Sequence, residues 1–228
     1  MASSGTTAFD PDLTEIVEEA FERAGGELRS GYDMRTARRS LNLLFADWSN
    51  RGLNLWTLDS GTINCVAGTA TYLLPTDTVD LLDHVVRTGA GNVSTQADLS
   101  ITRISASTYA TLPNKLTQGR PIQIWVQRLN APQVTLWPIP DDSTTYQVIY
   151  WRLRRIQDAG NGVNTADTPF RFLPALVAGL AYYLALKVPG GIDRLQILKA
   201  QYDEAWQLAS DEDRERATLR LVPMRRGP

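Results

Sequence analysis

The sequence has 228 residues, a formal net charge of −2 and a hydrophobic share of 43%. This length fits one globular domain, or one domain that carries a large insertion. The nearly balanced charge argues against a protein that holds nucleic acid through bulk electrostatic attraction. A single cysteine, Cys65, excludes a disulfide within the chain and a site with several cysteine ligands, and it fits maturation in a reducing cytoplasm.

The N-terminal quarter predicts two amphipathic helices. Asp10 can cap the first helix, Pro11 suits its first position, and Gly25–Gly26 ends it. Its apolar stripe consists of Leu13, Ile16, Val17, Ala20, Phe21 and Ala24, and its acidic face of Glu15, Glu18, Glu19 and Glu22. The second helix begins near Asp33 and ends before Gly52, with Met34, Ala37, Leu41, Leu44 and Trp48 as its stripe. The short link between them favours an antiparallel hairpin.

From Leu53 to about Asp158, threonines, glycines, prolines and β-branched residues predict strands. "TATYLLP" and "LDHVVRTG" indicate short strands, and Ser105 can cap a short helix in "SASTYATLP". "PIQIWVQRL", "QVTLWPIPDD" and "TYQVIYWRLRR" alternate in polarity, which predicts an antiparallel meander of three strands. Its hairpin turns fall at Asn130–Ala131 and Asp141–Ser143.

Helical periodicity returns after Thr168–Pro169. The stretch from Phe172 to Leu186 is apolar nearly all round, so we expect it to be buried on more than one side. The one membrane-span candidate, Phe172–Val188, overlaps this stretch, but a buried helix fits its length and Pro174 better. The N-terminus does not resemble a signal peptide. A final helix is predicted from about Ile192 to Ser210, followed by an arginine-rich segment without periodicity.

These elements predict an α+β fold: a helical bundle core of about four helices, interrupted by an antiparallel β insertion, with an extended C-terminal arm. The predicted ranges are 1–57 for the first half of the core and 58–168 for the β-rich insertion domain. Residues 169–212 form the second half of the core, and 213–228 form the arm.

Catalytic patterns are sparse. His84 is the one histidine, in a predicted strand, where a structural histidine is the simpler interpretation. Cys65 lies among strand-forming residues and is expected to be a small buried side chain. Nucleotide-binding glycine loops are missing from the sequence. The glutamates of the first helix leave a carboxylate-based hydrolase open, although a solvated helix face explains them more simply. We therefore predict no enzyme, no metal and no cofactor.

The sequence gives more evidence for interaction surfaces than for a catalytic site. Arginines cluster at Arg35, Arg38 and Arg39, at Arg152, Arg154 and Arg155, and in the arm. Each cluster can meet phosphate or a protein surface. In the arm, apolar residues interleave with arginine, which favours a groove on a protein partner. Six tryptophans are many for this length, and those in the β region predict at least one exposed ring and contacts between subunits.

The order of several segments resembles a known family. These segments are "LNLLFADWSNRGLNLW", "TYLLP", "ISASTYATLPNKLTQGRPIQIWVQRL", "LWPIPDD" and "YWRLRRIQD". They resemble the head-to-tail adaptor proteins of short-tailed phages, also called packaged-DNA stabilisation proteins, tail accessory factors or tail tubular proteins. The resemblance extends from about Leu13 to Trp206.

The resemblance implies a virion protein at the head-tail junction, made and assembled in the host cytoplasm, without a membrane. It implies a homo-oligomeric ring of twelve subunits beneath the portal protein, a tail nozzle or fibre protein on the other side, and genomic DNA passing through the channel without sequence specificity. Portal contact is expected from Leu219, Arg220, Leu221, Val222, Met224, Arg225 and Arg226. Subunit packing is expected from Trp48, Phe172, Leu176, Leu180 and Tyr183, and tail contact from Trp125 and Trp137. The alternatives are a carboxylate-based cell-wall hydrolase and a DNA-binding module.

Overall fold

The computed structural model describes residues 5–6, 9–29, 31–52 and 55–214. In these ranges the chain forms five α-helices and eight β-strands. It divides into two compact units. The central unit is Ser49–Gln157, and the terminal unit consists of the described residues up to Trp48 and from Asp158 onward.

Helix α1 spans Leu13–Ala24 and is capped at both ends. The Asp12 side chain accepts a hydrogen bond from the Glu15 N–H (2.9 Å), and Glu15 accepts one from the Asp12 N–H (3.1 Å), which forms a capping box. Gly25 follows with φ 88°, a left-handed conformation that glycine adopts without strain. The helix therefore begins two residues later than the Asp10 cap predicts, while its apolar stripe is buried as expected.

The other helices of the terminal unit are α2 (Gly31–Asn50), α4 (Leu173–Ala185) and α5 (Leu195–Glu212). The last two residues of α2 belong to the central unit. Helix α4 makes extensive contacts with α1 and with α5. Its Gly179 permits a close approach, because a Cβ there would lie 2.9 Å from Tyr202 Cε2 and 3.0 Å from Leu44 Cδ2. Eight of its residues are buried, which confirms the prediction that this helix is enclosed on more than one side.

An aromatic cluster connects α2 with α5 and with Phe172, the residue before α4. The Trp48 ring lies 5.7 Å from the Phe172 ring and 4.9 Å from the Trp206 ring, measured between centroids. Its indole N–H donates a 2.9 Å hydrogen bond to the Tyr202 hydroxyl. None of the helices in the described ranges has the length and apolar character that a membrane crossing requires.

The first sheet of the central unit is antiparallel throughout, in the order β1-β8-β3-β4. Its strands are β1 (Leu58–Asn64), β3 (Thr78–Thr88), β4 (Ala97–Ser100) and β8 (Tyr146–Arg154). The pairing of β3 with β8 shifts register at Thr78/Asp80 and at Leu81/Asp83. These irregularities let one long strand bend against its partner.

The second sheet has the order β2-β7-β6-β5. Its strands are β2 (Thr71–Leu73), β5 (Thr102–Ile104), β6 (Gln123–Gln127) and β7 (Gln133–Trp137). Strands β6 and β7 form an antiparallel pair, whereas β5 and β6 are parallel. The chain between these parallel strands holds α3 (Ala106–Thr111), which Ser105 caps as predicted, accepting a 3.1 Å hydrogen bond from the Thr108 N–H.

Both sheets contribute to one hydrophobic core. Leu81, Val86 and Val148 come from the first sheet, and Ile124 and Val134 from the second. Alternation along each strand turns these residues to one face, where burying them supplies the main stabilisation of the unit.

The predicted fold class is wrong. Instead of a helical bundle core interrupted by an antiparallel β insertion, the described residues form a mixed α+β fold with five helices and two four-stranded sheets. The extensive helix–helix contacts join α4 to α1 and α5, and the predicted hairpin of the first two helices is not among them. The second sheet is also not antiparallel throughout, because β5 pairs with β6 in parallel.

The predicted meander of three strands is correct only for β6 and β7. Strand β8 belongs to the other sheet, where it lies between β1 and β3. Pro138 and Pro140 follow β7, and proline has no N–H to donate to a ladder. Strand β8 does not continue this ladder and instead pairs with β1 and β3, which are distant in the sequence.

Candidate functional site

His84 lies in β3 next to a register shift, and it is buried. Both of its ring nitrogens lack a hydrogen-bond partner in the described structure. Burial lowers the pKa of His84, because removal from water disfavours the imidazolium ion. A general base must reach the proton that it removes, and this ring is enclosed by its own chain, so its surroundings favour a structural residue.

Cys65 is 1% exposed and lies in the core of the central unit. Burial raises the pKa of its thiol to about 11, so the reactive thiolate is scarce at neutral pH. This environment matches the prediction of a small buried side chain. Across the described ranges, histidine, cysteine and carboxylate side chains form no group of three that could hold a metal ion.

The glutamates of α1 are exposed, and two of them have structural contacts. Glu15 completes the capping box of α1. Glu19 forms a 2.7 Å ion pair with Arg23, one turn further along the helix. Glu15 and Glu19 also line an apolar groove beside α1 and α4, whereas Glu18 and Glu22 are not part of its lining. Of the four glutamates of α1, Glu15 and Glu19 are therefore the two that a hydrolase could use in this groove.

The second arginine cluster is a structural network. Arg152 is 7% exposed and bonds the carboxylates of Asp77 (2.6 Å) and Asp59 (2.9 Å), and the Thr78 hydroxyl (3.0 Å). The hydrogen bond from Arg152 holds the pKa of Asp77 below its usual value. Arg155 donates to the Thr76 carbonyl (3.1 Å). These contacts hold β8 to β1 and to the chain at the start of β3, and they leave Arg152 unavailable for a phosphate.

The first arginine cluster remains available for a partner. Arg35, Arg38 and Arg39 line one groove of about 480 Å³ together with Tyr32 and Asn42. The buried Arg38 Nε has no hydrogen-bond partner in the part of the chain that the structure describes. The groove is cationic and suits either an acidic protein surface or a phosphate group.

The residues predicted for subunit packing lie mostly inside the subunit itself. Trp48, Phe172, Leu176 and Leu180 are 0–1% exposed. Their own chain covers them completely, so they offer no surface to a neighbouring copy. Tyr183 is half-buried and lies 5.9 Å from the Tyr182 ring.

The residues predicted for tail contact lie in the second sheet and are half-buried. Trp125 stacks on Tyr109 of α3, with ring centroids 4.8 Å apart. Trp137 donates its indole N–H to the Asn114 carbonyl (3.0 Å). Both rings keep part of their surface free. The most exposed tryptophan among those described in this unit is Trp151 on β8, at 42%, which the site prediction did not single out.

Sequence reasoning also missed an apolar groove beside α1 and α4, which Phe9 and Phe170 flank. Each of these side chains is 70% exposed. The available signal was that both are isolated aromatic residues outside any periodic stripe. The predicted portal-contact residues, Leu219, Arg220, Leu221, Val222, Met224, Arg225 and Arg226, lie outside the described residues.

Comparison with known proteins identifies the family. No curated protein matches the chain. A family model described as "SU10 adaptor protein" matches residues 11–227, which is nearly the whole sequence. The matched range includes the whole central unit, most of the terminal unit and nearly all of the arginine-rich segment that follows α5. The chain belongs to the SU10 adaptor protein family.

Proposed function

We propose that this chain is a ring-forming phage neck protein that binds beneath the portal, connects it to the tail nozzle or fibres, and surrounds the DNA channel. Its coarser role, a structural adaptor component of the virion at the head-tail junction, follows from its family. The finer role includes a ring of twelve copies that retains the packaged genome and lets it pass. The observation that carries the proposal is the family match over residues 11–227.

The portal contact is assigned to the segment after α5. Its anchors are Leu219, Leu221, Val222 and Met224, and its charges are Arg220, Arg225 and Arg226. Ordering a segment costs about 1–2 kcal/mol per residue. Burying an apolar side chain contributes about 1.5–3 kcal/mol, so the net gain from one segment is small. A ring that presents many segments at once binds far more tightly than one subunit.

The channel role requires weak contact with DNA. A duplex slides only where the lining does not hold its phosphates strongly, and each neutralised phosphate increases the affinity and its salt dependence. A net charge of −2 is compatible with such a lining. Tail contact is assigned to the central unit, where Trp125 and Trp137 keep partly exposed rings.

The experiment that tests the adaptor against its alternatives compares the intact chain with the Glu15→Gln/Glu19→Gln variant. Glutamine preserves the capping box, so the variant should fold normally. An adaptor predicts no lysis of host cell wall by either protein, and weak DNA binding of the monomer at physiological salt. Lysis that the variant loses would establish the hydrolase. Tight DNA binding with a steep salt dependence would establish the DNA-binding module.

A further inference from the structure

The apolar groove beside α1 and α4 is a feature of the terminal unit that the adaptor role does not explain. It measures about 450 Å³, and its apolar walls are Phe9, Pro11, Ile16, Phe170, Leu173, Pro174 and Val177. Two phenylalanines that are each 70% exposed flank one groove, which is an unusual exposure of large apolar side chains. A contiguous apolar patch of this kind marks an interaction site.

One rim of the groove is acidic. Glu15 and Glu19 of α1 line it, and Glu18 and Glu22 lie exposed on the same helix. Arg23 also lines the groove, and its Nε forms an ion pair with Glu19 at 2.7 Å that neutralises both side chains. The remaining negative charge comes from Glu15 on the rim and from Glu18 and Glu22 beside it. A fitting occupant therefore carries apolar anchors that alternate with positive charges.

The chain itself supplies such a segment. Residues 215–228 read "ERATLRLVPMRRGP", with four arginines against one glutamate. Leu219, Leu221, Val222 and Met224 provide apolar side chains between the arginines. The N-terminal residues 1–8, "MASSGTTA", have no comparable run of apolar side chains and no positive side chain.

The described chain also ends next to the groove. Asp213, at the end of α5, accepts a 3.1 Å hydrogen bond from Arg171 Nε. Arg171 directly follows Phe170, which lines the groove. The five residues from Arg214 to Leu219 can span up to about 17 Å when extended, so the first anchor is within reach of the groove.

We propose that, in the free subunit, the segment of residues 215–228 docks into the groove of its own chain. The anchors fill the space between Phe9, Phe170 and Val177, and the arginines face the glutamates of α1. Docking within one chain is favoured because a short connection gives an effective concentration of about millimolar. The docked segment covers the exposed phenylalanines and competes with any partner that the segment binds.

The test is disulfide crosslinking in the full-length chain. Val177→Cys places a thiol in the groove, and Leu219, Leu221 and Met224 are each changed to Cys in turn. The control is Gln207→Cys with the same three partners, because Gln207 is exposed on α5, outside the groove lining and nearer along the chain to the segment. The native Cys65 is 1% exposed and should not react.

We expect at least one pair with Val177→Cys to form an intrachain disulfide about ten times faster than its Gln207→Cys counterpart, at low protein concentration. Equal rates for all three pairs would overturn the proposal. Dimers as the main product would also overturn it, because a second copy would then be the occupant. The isolated chain is used without portal, so failure here does not bear on the adaptor proposal.

Discussion

Removing the residues after Asp213 is expected to abolish binding to the portal ring and to leave the fold intact. The removed segment carries the apolar anchors and arginines assigned to the portal, and α5 ends at Glu212. The Asp213 carboxylate, which pairs with Arg171, is kept. We expect a melting temperature within a few degrees of that of the full chain, since no part of the described cores is lost.

Binding is measured by co-sedimentation of the chain with portal rings, and folding by thermal melting. A full-length control with Leu219, Leu221 and Met224 changed to Ser separates the anchors from the length of the segment. Each lost anchor should weaken a single contact by roughly 10- to 100-fold. Undiminished portal binding by the truncated chain would show that another surface makes the contact.

Trp48→Ala is expected to destabilise the protein by about 3–5 kcal/mol. Trp48 is fully buried, packs against Phe172 and Trp206, and donates a hydrogen bond to the Tyr202 hydroxyl. Alanine leaves a large cavity at the point where α2, α4 and α5 meet, and removes the donor for that hydroxyl. A loss of this size is a large fraction of the stability of an ordinary domain.

The matched control is Trp151→Ala, because Trp151 is 42% exposed on the outer face of β8. Its removal should cost far less, since much of the ring already contacts water. Urea unfolding of both variants gives the two free energies. Equal losses would mean that the Trp48 cluster does not hold the terminal unit together.

The sequence predicted the local elements well, because the periodicity of apolar residues directly reports which face is buried. Helix α4 illustrates this, since its nearly continuous apolar run predicted burial on several sides. The start of α1 was missed by two residues, because Asp10 and Asp12 are equally suitable caps in the sequence. The structure identifies Asp12 as the cap, because its side chain accepts a hydrogen bond from the Glu15 N–H and its N–H donates to the Glu15 side chain.

The pairing of strands could not be predicted, because it depends on contacts between residues far apart in the chain. Strand β8 has the same alternating pattern as β6 and β7, but pairs Tyr150 with Gly61 of β1 and His84 of β3. The parallel pairing of β5 with β6 has no local signal either. These non-local choices are why the predicted fold class was wrong.

The candidate interaction residues show a related limit. A stripe of apolar residues predicts burial but does not say whether the same chain or a second copy covers it. Trp48, Phe172, Leu176 and Leu180 were expected between subunits and are enclosed by their own chain. Phe9 and Phe170 belong to no stripe, and each is 70% exposed. Isolated aromatic residues beside helix starts were therefore the better signal of an open surface.

The measurement that tests the adaptor proposal most directly is native mass spectrometry of the chain alone and after mixing with portal rings from its own phage. We expect a monomer alone, and with the portal a complex that carries a complete ring, twelve copies on a twelvefold portal. Because a complete ring contacts the portal through the C-terminal segments of all its subunits at once, we expect partly filled rings to be rare. A chain that stays monomeric beside that portal at every concentration would contradict the proposal.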